Sequence, residues 1–280
     1  APALHAQGVG GPGRSIRLLV GFAPGGTSDI AARLIAPRMQ AVLGQPVVVE
    51  NRPGAGGNIA TEAAVRAAPD GTTLLLGTIG GLAVNPTLYG SLPFDPQADL
   101  TAITRVAMIL NVLAVPADRP WRSVAEVLAA ARAAPLSFGS SGVGGAGHLA
   151  GEQFNAIGGV RNTHVPYRGG GPLITDLIGG KVDFAFTPAS GARPQAEGGR
   201  LRMLAVTTEA RSPLLPELPA VAETPGLAGF DMQDWSTLMA PRGLPAPLLA
   251  ALHRAATAAL TDPEVVAALA SRQIQATPSS

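Results

Sequence analysis

Cysteine is absent from all 280 residues. Its absence excludes disulfides, thiolate zinc sites, thiol catalysis and an N-terminal lipid-modified cysteine, and leaves the redox compartment open. Charge is scarce too. Asp, Glu, Lys and Arg make up 14% of the chain with a net charge of +1, against about 25% charged residues in an average soluble protein. With no run of Lys or Arg, the electrostatic footprint of a nucleic-acid binder is missing, and a membrane-surface role loses its support for the same reason. Apolar residues reach 46%, yet no window approaches the ~18 consecutive apolar residues of a spanning helix. The longest run, residues 106–115, is about strand length and contains Asn111. No direct membrane insertion is expected, and the apolar share reads as core.

Catalytic signatures are missing as well. There is no G-x-S-x-G elbow, no Walker lysine loop and no paired-carboxylate pattern, so nothing in the sequence demands an enzyme. The four histidines, His5, His148, His164 and His253, lack the i,i+3 or i,i+4 spacing of a helical metal pair, so no metal and no cofactor is expected.

Glycine is abundant, at 35 residues, and two glycine-rich stretches stand out. Ala23-Pro24-Gly25-Gly26-Thr27-Ser28-Asp29 and Ser140-Ser141-Gly142-Val143-Gly144-Gly145-Ala146-Gly147-His148 each lie between a short apolar run and an amphipathic run. Both read as strand, glycine loop, helix start. That geometry aims unpaired backbone N–H groups and the positive end of a helix dipole at one spot, which suits an anion without a buried Lys or Arg. Two such loops more than a hundred residues apart predict an acid held between two lobes. Thr27, Ser28, Ser140 and Ser141 add hydroxyl donors; Asp29 reads as a cap on its own helix. His148, in the first turn of the second helix, is a candidate ligand donor or a partly buried structural histidine. Tyr167 and Arg168, at a predicted strand end, offer an aromatic face and a bidentate cation.

The rest of the chain reads as α/β. Residues 16–22 predict a strand and residues 31–42 a helix kinked at Pro37. Val47-Val48-Val49 predicts a fully buried strand, followed by a helix over 59–68 and a strand over 73–77. Alternation at this spacing predicts βαβ units and a parallel sheet covered on both faces. Residues 100–115 form a long extended stretch suited to crossing between lobes, after which Ser123-Val124-Ala125-Glu126 opens a helix and the pattern restarts. Residues 235–239 offer a return crossing, and residues 245–260 a C-terminal helix. Residues 1–13 read as a signal remnant or flexible leader.

Gly142-Val143-Gly144-Gly145-Ala146-Gly147 also matches the dinucleotide fingerprint, which keeps an NAD(P)-dependent oxidoreductase as the alternative reading. Against it, Asn162 and Thr163 occupy the region where a ribose-binding acid belongs, and Gly8-Val9-Gly10-Gly11-Pro12-Gly13 matches the same pattern with no strand before it.

Several phrases together resemble one family: residues 16–29 (IRLLVGFAPGGTSD), 47–58 (VVVENRPGAGGN) and 165–172 (VPYRGGGP), with 68–71 (APDG), 148–152 (HLAGE) and 216–223 (PELPAVAE). They resemble the Bug-type substrate-binding proteins of tripartite tricarboxylate transporters, from about Ser15 to Leu269. The resemblance implies a two-lobed periplasmic binding protein of the type II class, each lobe a mostly parallel sheet flanked by helices, with two extended crossovers. Residues 14–112 and 234–280 would form lobe 1 and residues 113–233 lobe 2. It implies an exported, periplasmic, monomeric and non-catalytic receptor that captures a small mono- or dicarboxylic acid for membrane transporter subunits or a sensor. By matching phrase, the ligand contacts would be Phe22, Ala23, Pro24, Gly25, Gly26, Thr27, Ser28 and Thr78 in lobe 1. In lobe 2 they would be Ser140, Ser141, Gly142, Val143, His148, Tyr167, Arg168 and Thr187. Where relatives usually carry Phe-Asp-Asn, this chain has Phe186-Thr187-Pro188; that departure weakens an amino-acid ligand and favours a simple carboxylate. The sequence also stops short of the final helix relatives carry.

Overall fold

The computed structural model describes residues 14–279; the expected leader at 1–13 lies outside them. The described chain divides into two compact units, one of residues 14–108, 235–271 and 275–279, the other of residues 109–234 and 272–274.

In the first unit, β1 (Ile16–Val20) leads into α1 (Thr27–Leu43), β2 (Val47–Asn51) into α2 (Asn58–Val65), and β3 (Thr73–Thr78) into a π-helical turn at Gly80–Val84. Short helices α3 (Asn85–Leu88) and α4 (Pro96–Asp99) precede β4 (Leu100–Ile109). The second unit runs β5 (Asn111–Pro116), α5 (Val124–Ala133), β6 (Ser137–Ser140), α6 (Ala146–Gly158), β7 (Thr163–Pro166), α7 (Gly170–Ile178), β8 (Phe184–Pro188), α8 (Ala189–Glu197) and β9 (Leu201–Val206). Then β10 (Asp234–Pro241), α9 (Ala246–Thr261), α10 (Pro263–Ala270) and β11 (Ile274–Ala276) end the described chain.

Two mixed sheets result, in the orders β11-β4-β10-β3-β1-β2 and β7-β6-β8-β5-β9. The expected parallel pairs form, β1 with β2 and β3, and β6 with β7 and β8. The sheets are not wholly parallel, because β10 pairs antiparallel with β3, and β5 antiparallel with β8 and β9. The extended stretch at 100–115 is two strands, β4 and β5, one in each sheet, joined through Leu110. Val47-Val48-Val49 is not fully buried. It belongs to β2, an edge strand, so Val47 is covered while Val48 is half exposed. Helix α1 continues through Pro37.

Two of the buried clusters differ in material. One cluster in the first unit is aliphatic, built on Leu19, Ala60, Ala64, Leu75, Leu82, Leu100 and Met239. In the second unit Phe138, Phe154, Phe184, Phe186 and Phe230 are all fully buried and pack ring on ring at centroid distances of 5.7–6.0 Å. Offset and edge contacts at that range stabilise a core beyond the area they bury.

Candidate anion-binding loops

At the C-terminal end of β1 the chain turns through Phe22–Gly26 into α1. Gly25 has φ 80°, a left-handed conformation that glycine adopts without strain. Gly26 is the N-cap, extended at φ −76°, ψ 167°, and no side chain caps it. Asp29 instead folds back onto the loop. Its Oδ2 accepts from the Gly25 N–H at 2.9 Å, and its Oδ1 from Asn51 Nδ2 at 2.9 Å. Arg33 Nε lies 3.0 Å from both carboxylate oxygens. Asn51 also donates to the Phe22 carbonyl at 3.0 Å, and Arg33 donates to Asn51 Oδ1 at 3.1 Å. Burial pushes the Asp29 carboxyl up, but the bonds from Arg33, Gly25 and Asn51 outweigh it and hold the group below the usual carboxylate range. Asp29 is therefore a buried anion that fastens the loop. The Gly25 N–H is consumed internally, while the first-turn N–H groups of α1 point out of the helix end as in any helix.

The neighbouring loops of this unit pack closely against the first. A Cβ on Gly21 would stand 2.8 Å from Gly57 Cα, and one on Gly57 would meet the Phe22 ring at 3.9 Å. Gly54, Ala55, Gly56 and Gly57 all have positive φ, which bends the loop after β2 into that space. Asn85, fully buried, donates to Asn58 Oδ1 at 2.6 Å and to the Gly56 carbonyl at 3.2 Å. Thr78 is buried at the C-terminal end of β3, paired with Ser236 of β10. The Ser236 hydroxyl is buried without a hydrogen-bond partner among the described residues.

The second loop follows β6 and repeats the first in backbone. Gly144 has φ 80°, and Gly145, the N-cap of α6, is extended at φ −75°, ψ 166°. Here the acceptor that folds back is His148, whose Nδ1 takes the Gly144 N–H at 3.2 Å. His148 stacks on His164 of β7, with ring centroids 4.1 Å apart. His164 Nε2 lies 2.7 Å from Ser140 Oγ, which also meets the Gly142 carbonyl at 3.0 Å and the Gly142 N–H at 3.3 Å. Ser140 is fully buried, so its hydroxyl shapes the loop. Ser141 is different: its Oγ is buried with no partner among the described residues. A buried unpaired hydroxyl is costly, and a ligand oxygen would satisfy it.

Gly147 has a packing role. A Cβ there would lie 2.3 Å from the Phe186 carbonyl oxygen, so only glycine lets α6 approach β8. Tyr167, beside Ser140 through its N–H at 3.0 Å, has its phenol pushed up by burial and by a hydrogen bond with Asp176. Arg168 is exposed and pairs with no carboxylate among the described residues. Thr187 is buried within β8, in register with Val112 of β5.

Each unit thus brings its own candidates together, Phe22–Ser28 in one, and Ser140–Val143 with His148, Tyr167 and Arg168 in the other. Thr78 and Thr187 lie buried in strands. Sequence reasoning missed Asn51, Arg33, Asn85 and His164. Only Asn51 carried a signal, as an amide at the last position of a predominantly apolar strand, just before a glycine loop.

Two mixed α/β sheets, each with a glycine loop feeding a helix, are the architecture of the periplasmic binding proteins that this chain matches among solved structures. A family profile described as "Tripartite tricarboxylate transporter family receptor" matches residues 31–279, and the chain belongs to that family. Among curated relatives, a "UPF0065 protein in tcbD-tcbE intergenic region" of Pseudomonas sp. (strain P51) is 39% identical over 92% of this chain and 77% of its own. "Protein BugT" of Bordetella pertussis is 36% identical over 93% of this chain and 81% of its own. Among solved structures, "R. palustris Rpa4515 with adipate" superposes with TM-score 0.91 at 36% identity, covering 96% of this chain and 90% of that one. "MatC (Rpa3494) from Rhodopseudomonas palustris with bound malate" gives TM-score 0.87 at 31% identity, covering 94% and 90%. Members of the family are solute receptors, and this chain is a receptor rather than an oxidoreductase.

Proposed function

We propose that this receptor captures a small dicarboxylic acid, with the loops at Phe22–Ser28 and Ser140–Val143 supplying backbone and hydroxyl donors. The observation that carries this reading is the repeated loop: two helix N-termini, each preceded by a left-handed glycine and an extended N-cap glycine at matching angles. Helix N-termini favour anions through their free N–H groups and dipole. Arg168 adds a charge suited to a carboxylate, and Ser141 an unsatisfied hydroxyl. Ligands named for two structural relatives, adipate and malate, are both dicarboxylates.

Thr78, His148, Tyr167 and Thr187 complete the proposed site. The two compact units are proposed to act as the two lobes of the receptor, monomeric and exported to the periplasm, delivering the acid to membrane transporter subunits.

A thermal-melt panel of adipate, malate, monocarboxylates and NAD(P) tests this. Ligand at a hundredfold excess over Kd contributes roughly 2.7 kcal/mol, a rise of about 5 °C for a chain of this length. Stabilisation by NAD(P) and by no carboxylate would overturn the reading.

A further inference from the structure

The loop of the second unit is fastened by neutral imidazoles. To accept from the Gly144 N–H, His148 Nδ1 must carry no proton, so the ring's proton sits on Nε2, which lies 3.9 Å from Glu152 Oε1. The His148 ring is stacked at 22° on His164, which is itself stacked on Phe138 with centroids 4.9 Å apart. His164 in turn holds Ser140 Oγ, so residues 140–144 are tied at both ends to one pair of stacked rings.

We propose that His148 is a positioning residue of this loop, and that adding a proton to its Nδ1 releases the Gly144 N–H and weakens carboxylate capture. The proposal rests on the carboxylate-receptor reading for its functional half only. Protonated Nδ1 becomes a donor facing a donor, so the bond that sets the turn at Gly144 is lost. Two stacked imidazoles cannot both be charged cheaply. The charged or titratable groups facing His148 are Glu152 on its own helix and His164 on β7; β6 and β8 carry none. Burial lowers the basicity of His148, against the pull of Glu152. Burial and then the repulsion of His148 bring His164 down to about 4. Glu152 therefore directs the first proton to His148. Because burial disfavours the charged ring, the loop is intact at neutral pH and fails as pH falls below the ordinary histidine range.

The test has two arms. In ligand-free protein, amide NMR follows Gly144 from pH 8 to pH 4.5 alongside the His148 ring signals. The Gly144 amide is expected to shift and lose exchange protection in step with His148, and in His148→Asn, whose Oδ1 accepts at every pH, to show no such step. In the second arm, adipate and malate affinities are measured by calorimetry at pH 7.5 and 5.5 for both proteins. Dividing one pH dependence by the other removes the ligand's own ionisation. The parent protein is expected to lose more affinity than His148→Asn, towards a ceiling of about tenfold, the roughly 1.4 kcal/mol that one such hydrogen bond can supply. A Gly144 amide indifferent to His148 titration overturns the proposal. So does an affinity ratio that stays flat, which would mean that release of the loop does not reach the ligand, or one that rises in acid, which would mean that the charged ring attracts the ligand by more than the released turn costs. If neither acid binds at any pH, the dicarboxylate reading fails while the NMR arm still decides the loop, since the parent protein alone shows whether Gly144 follows His148.

Discussion

In the first unit, a left-handed Gly25, an extended Gly26 and an acceptor at position 29 make the turn into α1; in the second, Gly144, Gly145 and an acceptor at position 148 make the turn into α6. The spacing and dihedral angles coincide, and the acceptors do not. Asp29 is a buried anion that needs Arg33 and Asn51 to stay ionised, so its charge is neutralised locally. His148 is neutral and needs only a ring to stack on. The turn is thus specified by its backbone, and the acceptor that fastens it can have either chemistry. The acceptor decides how the loop responds to pH. An ionised carboxylate holds its loop down to strongly acid conditions, whereas an imidazole holds only above its titration.

The largest expected break in the symmetry lies one residue before each acceptor. Ser28 occupies in α1 the place that Gly147 holds in α6. Gly147→Ala drives a Cβ into the Phe186 carbonyl, a backbone atom with no flexible end to move. We expect a loss of about 3 kcal/mol, the upper range for overpacking, while Ser28→Ala, which adds no atom to its buried site, costs about 1 kcal/mol, the centre of the range for single substitutions. Urea midpoints of the two variants decide it. Equal, small losses would show that the second loop does not depend on close helix–strand approach.

Next in size is the acceptor itself. Asp29→Ala leaves the Gly25 N–H and Asn51 Nδ2 without their buried acceptor, an expected cost of about 2–3 kcal/mol at pH 7. Arg33 is half exposed, so its ion pair adds little. The sign with pH follows from the direction of the shift: the carboxyl titrates below its unfolded value, so its contribution is present above about pH 4 and is lost as pH falls through the folded value. The deficit of Asp29→Ala measured by unfolding at pH 7 should therefore shrink at pH 3. A deficit that persists unchanged would mean that shape, not charge, fastens the first loop.

The loops were legible before the structure because their signals are local. Short apolar runs, glycine pairs and hydroxyls before amphipathic stretches fall within about ten residues, and the helices start at Thr27 and Ala146, about one turn before the expected residue 31 and two residues before the expected His148. What fastens the loops was not legible. Asn51 reaches Asp29 across 22 residues, and His164 reaches Ser140 across 24, so both depend on strand order. The same holds for β10. Nothing in residues 234–241 shows that they insert between β3 and β4, antiparallel to β3, because that position is decided by which edges the rest of the sheet leaves open. Val47-Val48-Val49 misled for a related reason: three β-branched residues suit either a central strand or an edge, and β2 lies at the edge.

The smallest effect is the sharpest test of the shared backbone plan. Gly25 and Gly144 both have φ 80°. An alanine at such a dihedral is strained by about 1 kcal/mol, whatever the surroundings. At Gly25 a Cβ meets nothing within 4 Å, so strain is the whole cost. If the two loops are the same turn, Gly25→Ala and Gly144→Ala should lose the same stability to within about 0.5 kcal/mol, the usual tolerance for independent sites. Asparagine, which tolerates the left-handed region better, should recover part of the loss at both. A clear inequality would locate a contact that one loop makes and the other lacks. Both loops bond the glycine N–H to a side-chain acceptor, so an inequality traced to that bond would reflect the imidazole of His148 against the carboxylate of Asp29, and repeating the pair of measurements at pH 5 would identify it, because only the Gly144 variant should then change its deficit.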